Sequence, residues 1–198
     1  MHGALKRTWL LIPTLALAAV AAAEFTGGLT RLALDEPRTI DGIPCTNEAL
    51  LFPDGRLEGC LLARDAVIAG HEFPAGSWPY FDPPGVLKCV FLAHDHEVQG
   101  YLLRGDGNDY QTCFHPNGWL RFGNLRDETV IQGVPCGKST FWTWILKGPS
   151  GVYFHDNGRL KACRLSRDVN QLRKHQRIEI DREGNIVNLK RRAEKKER

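Results

Sequence analysis

The stretch Val152-Tyr153-Phe154-His155-Asp156-Asn157-Gly158-Arg159-Leu160-Lys161-Ala162-Cys163 decides the fold, because weaker copies of it recur along the chain. Phe52-Pro53-Asp54-Gly55-Arg56-Leu57 is followed by Cys60, Phe81-Asp82-Pro83-Pro84-Gly85-Val86-Leu87 by Cys89, and Phe114-His115-Pro116-Asn117-Gly118-Trp119-Leu120 by Gly123. In Asn117-Gly118, Asn157-Gly158 and Asp54-Gly55 the glycine supplies the positive φ that a tight hairpin turn demands, and Asn or Asp tolerates it next best. Residues Leu160, Cys163 and Leu165 leave the turn with roughly alternating character, as in a sheet with one buried face.

A second half-unit recurs with the first. Asp65-Ala66-Val67-Ile68-Ala69-Gly70, Asp95-His96-Glu97-Val98-Gln99-Gly100 and Asp127-Glu128-Thr129-Val130-Ile131-Gln132-Gly133 share a turn Asp, an Ile or Val, and a Gly, and Asp35 with Ile40 and Gly42 supplies a fourth copy. The turn glycines Gly55, Gly85, Gly118, Gly158 and Gly184 lie 30, 33, 40 and 26 residues apart. That spacing is too irregular for a rigid solenoid and suits an array of hairpins with insertions. Two insertions interrupt it: Arg104 to Tyr110, and Gly137 to Gly151, which holds Phe141, Trp142 and Trp144. Ile178 to Val187 reads as a closing hairpin with charged outward positions, and Val169 to Arg177 is the one stretch that could make a helical turn.

The motif Phe154-x-x-Asn157-Gly158-x-Leu160, with Phe114-x-x-Asn117-Gly118-x-Leu120, resembles the core of variant MORN repeats, which occur in hairpin-repeat proteins of the bacterial envelope. The likeness covers most of Ile40 to Val187, and the chain departs from it in its longer units, its six cysteines and Pro84 in place of the turn Asn. The resemblance implies a twisted antiparallel sheet used for binding or scaffolding, and no shared activity.

Residues 1-23 carry Lys6 and Arg7, an apolar run, and Ala21-Ala22-Ala23, the order of a secretory signal peptide cut after Ala23. The expected organisation is a signal peptide over 1-23, a flexible lead over 24-31, a β-hairpin repeat domain over 32-189 and a basic tail over 190-198. Localisation would be periplasmic or secreted. Removing the signal leaves 24 basic and 23 acidic residues, and the tail holds six basic and two acidic ones. A body with 18 basic and 21 acidic residues is a poor binder of nucleic acid. No later stretch is long and apolar enough to span a membrane.

All six cysteines, Cys45, Cys60, Cys89, Cys113, Cys136 and Cys163, follow the signal, and an even count in an exported chain favours disulfides. Cys45 and Cys136 hold the same unit position, as do Cys60 and Cys163. Equivalent units should then pair Cys45 with Cys60 and Cys136 with Cys163, leaving Cys89 for Cys113. The competing reading is six small buried side chains with free thiols.

Candidate chemistry is sparse. His94-Asp95-His96-Glu97 invites a metal reading, but alignment of the units makes His94 and Asp95 turn residues. His115 and His155 align with Pro53 and Asp82, a turn-side position. Asp106, Asn108 and Asp109 lack the further oxygens of a calcium loop. Trp78, Tyr80 and Phe81 read as packing. Phe141, Trp142 and Trp144 are the candidate binding residues, in an aromatic insertion the repeat does not require. The expectation is an all-β, elongated antiparallel sheet of about five repeated hairpins, exported, non-catalytic, without cofactor or metal, binding or scaffolding an envelope or extracellular protein or glycan. The alternative is a secreted hydrolase using His94, His96, Asp106 and Asp109, which requires those side chains to converge on one pocket.

Overall fold

The computed structural model describes residues 23–26, 28–106, 110–140 and 150–187. Eleven strands form one antiparallel sheet in near-sequential order. They are β1 (Ala23–Thr26), β2 (Leu29–Ile40), β3 (Ile43–Leu51), β4 (Leu57–Leu62), β7 (Trp78–Phe81), β8 (Leu87–Phe91), β11 (Gln111–Phe114), β12 (Leu120–Gly123), β15 (Val152–Phe154), β16 (Leu160–Arg164) and β17 (Arg177–Glu179). Most strands are three to six residues long. With about 4.8 Å between neighbours the sheet is roughly 48 Å across, so it is elongated at right angles to its strands.

Three small hairpins fill the gaps in the numbering: β5 (Ala66–Ile68) with β6 (His71–Phe73), β9 (His96–Val98) with β10 (Tyr101–Leu103), and β13 (Thr129–Ile131) with β14 (Val134–Cys136). Each supplies an apolar pair to the core against one face of the large sheet: Ile68 and Phe73, Val98 and Leu103, Ile131 and Cys136. From the large sheet come Leu57, Phe81, Leu87, Phe114, Leu120, Phe154 and Leu160, the aromatic and Leu positions of the repeat. Burying each of these larger side chains contributes about 1.5–3 kcal/mol, which holds the short strands together.

The repeat thus contains two kinds of hairpin, and their turns differ. The small hairpins turn on two residues, both at positive φ: Ala69 (51°) and Gly70 (81°), Gln99 (52°) and Gly100 (82°), Gln132 (50°) and Gly133 (84°). These are type I′ turns, matched to the right-handed strand twist. Asp41 (49°) and Gly42 (82°) make the same turn between β2 and β3, so the first small hairpin is fused to the large sheet, with a register break between Leu34 and Arg38. The wide turns of the large sheet work otherwise. Gly118 N donates to His115 O at 2.8 Å and His115 N donates to Trp119 O at 2.8 Å, with register shifting between Cys113 and Phe114. Only the glycine is left-handed, as in a type I turn closed by a bulge.

The Asn or Asp before that glycine has a different task from tolerating positive φ. Its side chain accepts from the backbone two residues on: Asn117 Oδ1 from Trp119 N at 3.2 Å, Asn157 Oδ1 from Arg159 N at 3.1 Å, and Asp54 Oδ1 from Arg56 N at 3.1 Å. The recurrent turn Asp closes the small hairpins by the same chemistry, Asp65 Oδ1 accepting from Ala75 N and Asp95 Oδ1 from Gly105 N.

Two segments depart from expectation. Residues of the expected flexible lead form β1, which pairs with Leu29–Leu32 across Gly28 at φ 93°. Val169 to Arg177 makes no helical turn: Val169 and Leu172 exchange both backbone hydrogen bonds around Asn170 at φ 51°, a shrunken copy of the small hairpin. Asn170 tolerates the left-handed backbone, and the Asp168 cap on Lys174 N at 2.7 Å favours the narrow turn.

The three disulfides are Cys45–Cys60, Cys89–Cys113 and Cys136–Cys163, the pairing that unit equivalence requires. Cys45, Cys60, Cys136 and Cys163 belong to the core, whereas Cys89 and Cys113 stand directly opposite each other in β8 and β11, on the other face of the sheet.

Candidate binding face

The face of the large sheet away from the small hairpins carries one continuous row of paired residues. It runs Arg31, Leu50, Gly59, Tyr80, Cys89, Cys113, Phe122, Tyr153, Ala162 and Glu179, each the partner of the next. Each ring has a small residue beside it in the row, Tyr80 between Gly59 and Cys89, Phe122 next to Cys113 and Tyr153 next to Ala162, so the rings lie over their neighbours instead of standing clear. Tyr80 sits 6.1 Å from Trp78 and 5.9 Å from Phe91, centroid to centroid, and Phe122 sits 4.8 Å from Tyr153. The Arg177 guanidinium carbon lies over the Tyr153 ring, 4.7 Å from its centroid. All five rings remain half-exposed.

Gly59 is required by this arrangement, since a Cβ there would stand 2.8 Å from both Trp78 Nε1 and Pro79 O. The Trp78 indole N–H is itself buried without a hydrogen-bond partner.

A fringe of charge follows from the wide turns. The bulge inserts one extra residue after the Leu of each return strand, giving Glu58, Lys88, Arg121 and Lys161 in successive units. Burial pushes the Glu58 carboxyl above its ordinary range, against the pull of Lys88. Burial likewise raises the Tyr80 phenol, with Glu58 and Glu48 adding to it. Toward β17, burial lowers the Arg164 guanidinium, and Arg177 adds to that effect. A hollow of 370 Å³ opens beside the Phe122 and Tyr153 rings, lined by Gln111, His115, Arg121 and Lys161 among others. Planar apolar rings with cations along one margin can stack on a flat or weakly polar ligand and hold negative charge beside it.

The residues singled out in the sequence are placed as follows. Phe141, Trp142 and Trp144 lie outside the described residues, but the base of their insertion is defined. Ser139 Oγ donates to Ser150 O at 3.2 Å, and Gly151 lies against the Phe122 ring, which a Cβ there would overlap. Trp78 and Tyr80 face outward on it, while Phe81 packs inward at 7% exposure. The signal for the outward set was alternation: Tyr80 and Tyr153 each directly precede the repeat's core Phe and so point the other way.

His94 and Asp106 line a hollow of 550 Å³ with Asp95, Arg104, Gly105 and Arg126. His96 does not join them, its Nε2 donating instead to Glu72 O at 3.0 Å, and Asp109 lies outside the described residues. Asp95 is held by Gly105 N and by the Arg126 guanidinium. Among the described residues no three His, Cys, Asp or Glu side chains come together to hold a metal ion. His115 and His155 are tied to the next unit, Nε2 of each donating to a backbone carbonyl: Phe154 O at 3.1 Å and Ile180 O at 2.9 Å.

No protein-family model matches the chain, and neither the curated proteins nor the solved structures contain a significant match to it.

Proposed function

We propose that this is an exported, non-catalytic binding module that takes its ligand across the ring-bearing face of the large sheet, with the opposite face given over to the core. The observation that carries the reading is the row Tyr80, Phe122 and Tyr153, half-exposed where a merely structural sheet face would be polar. Toward Tyr153 the margin is cationic through Arg121 and Lys161, while Lys88 is paired with Asp82 at 3.2 Å; these two cations favour an anionic ligand, and an acidic glycan of the envelope suits both rings and charge. The likeness of the turns to variant MORN repeats supports a scaffolding or binding role in the same compartment. Three disulfides suit an oxidising compartment, and among the described residues no helix is long and apolar enough to cross a membrane.

Affinity electrophoresis in gels cast with an acidic polysaccharide, with neutral dextran as reference, tests the proposal. The mature protein should be retarded by the acidic polymer, and Tyr153→Ala with Lys161→Ala should restore its mobility while leaving the thermal transition cooperative. Equal mobility of wild type in both gels would overturn the acidic-glycan assignment.

A further inference from the structure

Three wide turns take a polar latch from the small hairpin before them, and the turn at Gly85 does not. Gln99, in the type I′ turn, reaches the next wide turn with both ends of its amide: Oε1 accepts from Leu120 N at 3.0 Å and Nε2 donates to Gly118 O at 2.8 Å. Gln132 repeats this one unit on, Oε1 accepting from Leu160 N at 3.1 Å and Nε2 donating to Gly158 O at 3.2 Å. Upstream, Asp41 holds the same turn position and accepts from Leu57 N at 2.8 Å. The corresponding residue for the turn at Gly85 and Leu87 is Ala69, which has no polar side-chain atom.

The turn at Gly118 has one further polar partner. Gly118 O also accepts from His71 Nε2 at 2.9 Å, and His71 directly follows the type I′ glycine. The residue at that position for the Gly85 turn is Ile43. Among the described residues, no side chain is hydrogen-bonded to Leu87 N or Gly85 O. Gly85 is exposed where Gly118 and Gly158 are half-covered. A notch of 410 Å³ stands there, lined by Ile43, Val67, Ala69, Phe81, Gly85 and Leu87 among others, with Arg56 and Asp41 at its margin. Val67 is 67% exposed, an apolar wall turned to solvent.

We infer that this notch is a binding site for a primary carboxamide, namely the glutamine side chain of an incoming polypeptide. The turn at Gly85 is closed by the same backbone bonds as the two sister turns, Gly85 N to Asp82 O at 2.7 Å and Asp82 N to Val86 O at 2.9 Å, and in those turns a glutamine amide satisfies the donor and acceptor that correspond to Leu87 N and Gly85 O. The ligand's methylene stem replaces that of the missing Gln and lies along Val67 and Ile43. A carboxylate cannot serve, since it has no hydrogen to give Gly85 O. The inference is independent of the ring-bearing face, because the notch lies at the turns of the large sheet and uses none of those residues.

The test is a titration of the ¹⁵N-labelled mature protein with acetyl-Ala-Gln-Ala-N-methylamide, followed at the Leu87 amide, with the Glu and Ala peptides of the same frame as controls. The Gln peptide should shift Leu87 N–H with millimolar affinity, about ten-fold more tightly than the Glu peptide. In Ala69→Gln the site is filled from within: the shift should vanish and exchange of the Leu87 amide with deuterium should slow. No shift in the wild type, or equal shifts with the Gln and Ala peptides, would overturn the assignment, and neither reading depends on the variant folding.

Discussion

The indole of Trp119 lies over Gly158: a Cβ built on that glycine would stand 3.0 Å from Trp119 Cε3. The residue after one turn glycine therefore roofs the glycine of the next turn, and Arg159 repeats the relation with Gly184, its Nη1 3.6 Å from the corresponding Cβ position. Gly158 is fixed by two separate demands, a φ of 77° and the absence of a side chain. Gly133 has only the first, with φ 84° and open space beyond it. Gly133→Ala should cost roughly 1 kcal/mol, the left-handed penalty alone. Gly158→Ala should cost up to about 1 kcal/mol more, since the Trp119 ring, exposed on its outer side, must give by a few tenths of an ångström. Urea midpoints at constant m-value check the difference.

The amide latches give a second expectation. Gln132→Ala removes two hydrogen bonds to the turn at Gly158 and Leu160 and should destabilise by about 1–3 kcal/mol. Gln132→Glu keeps the acceptor for Leu160 N and loses the donor to Gly158 O, so its urea midpoint should fall between the two. A Glu variant as weak as Ala would show that the bond to Leu160 contributes little.

These latches mark the limit of what the sequence made legible. Phe154, Gly158, Leu160 and Cys163 could be read because each has a short-range or binary signal: a turn glycine, an apolar face, a cysteine with an equivalent sister. The disulfide pairing followed from equivalence alone, and Cys89 with Cys113 fell out by exclusion. Gln99 and Gln132 carried no such signal, because a glutamine at positive φ reads as an unremarkable turn residue until Leu120 and Leu160 are beside it, 21 and 28 residues away. The outward rings were missed for a related reason. Tyr80 and Phe122 are brought into one row by pairings across β7, β8, β11 and β12, and the bulge at each turn shifts the alternation by one residue, hiding the face to which Phe122 belongs.

Glu58 predicts a pH dependence of stability. Burial raises its carboxyl in the folded state, so the folded protein holds that proton more tightly than the unfolded chain does. The stabilisation it gives is complete below the unfolded glutamate value and is lost as pH rises through the raised folded one. Glu58→Gln should therefore be more stable than the wild type at neutral pH, with the gap closing toward pH ~4. Asp54 and Asp168 have lowered carboxyls, Asp54 chiefly through the side chain of Arg56 and Asp168 chiefly through the Lys174 backbone N–H. They act in the opposite sense in acid, and comparison of variant with wild type at each pH cancels them. A gap that does not change between pH 4 and pH 7 would show that Glu58 titrates alike in both states.

The three disulfides should fail differently when removed singly as Cys-to-Ala pairs. By loop length alone they are near equals: separations of 15, 24 and 27 residues correspond to about 3, 3.4 and 3.6 kcal/mol of closure entropy. Their positions are not equal. Cys89–Cys113 joins residues already opposite each other in neighbouring strands of the large sheet, so the ladder persists without it. Cys136–Cys163 joins the small hairpin β13–β14 to β16, where the backbone otherwise offers the single bridge Cys136 to Leu165 and the bonds of Gly137 N and Ser166 N. Removing Cys136 and Cys163 should therefore release Thr129–Ile131 and Val134 to rapid hydrogen exchange while the large sheet stays protected. Removing Cys89 and Cys113 should lower global stability with no such local release. Uniform loss of protection in both variants would mean that the small hairpins do not open independently of the sheet they cover.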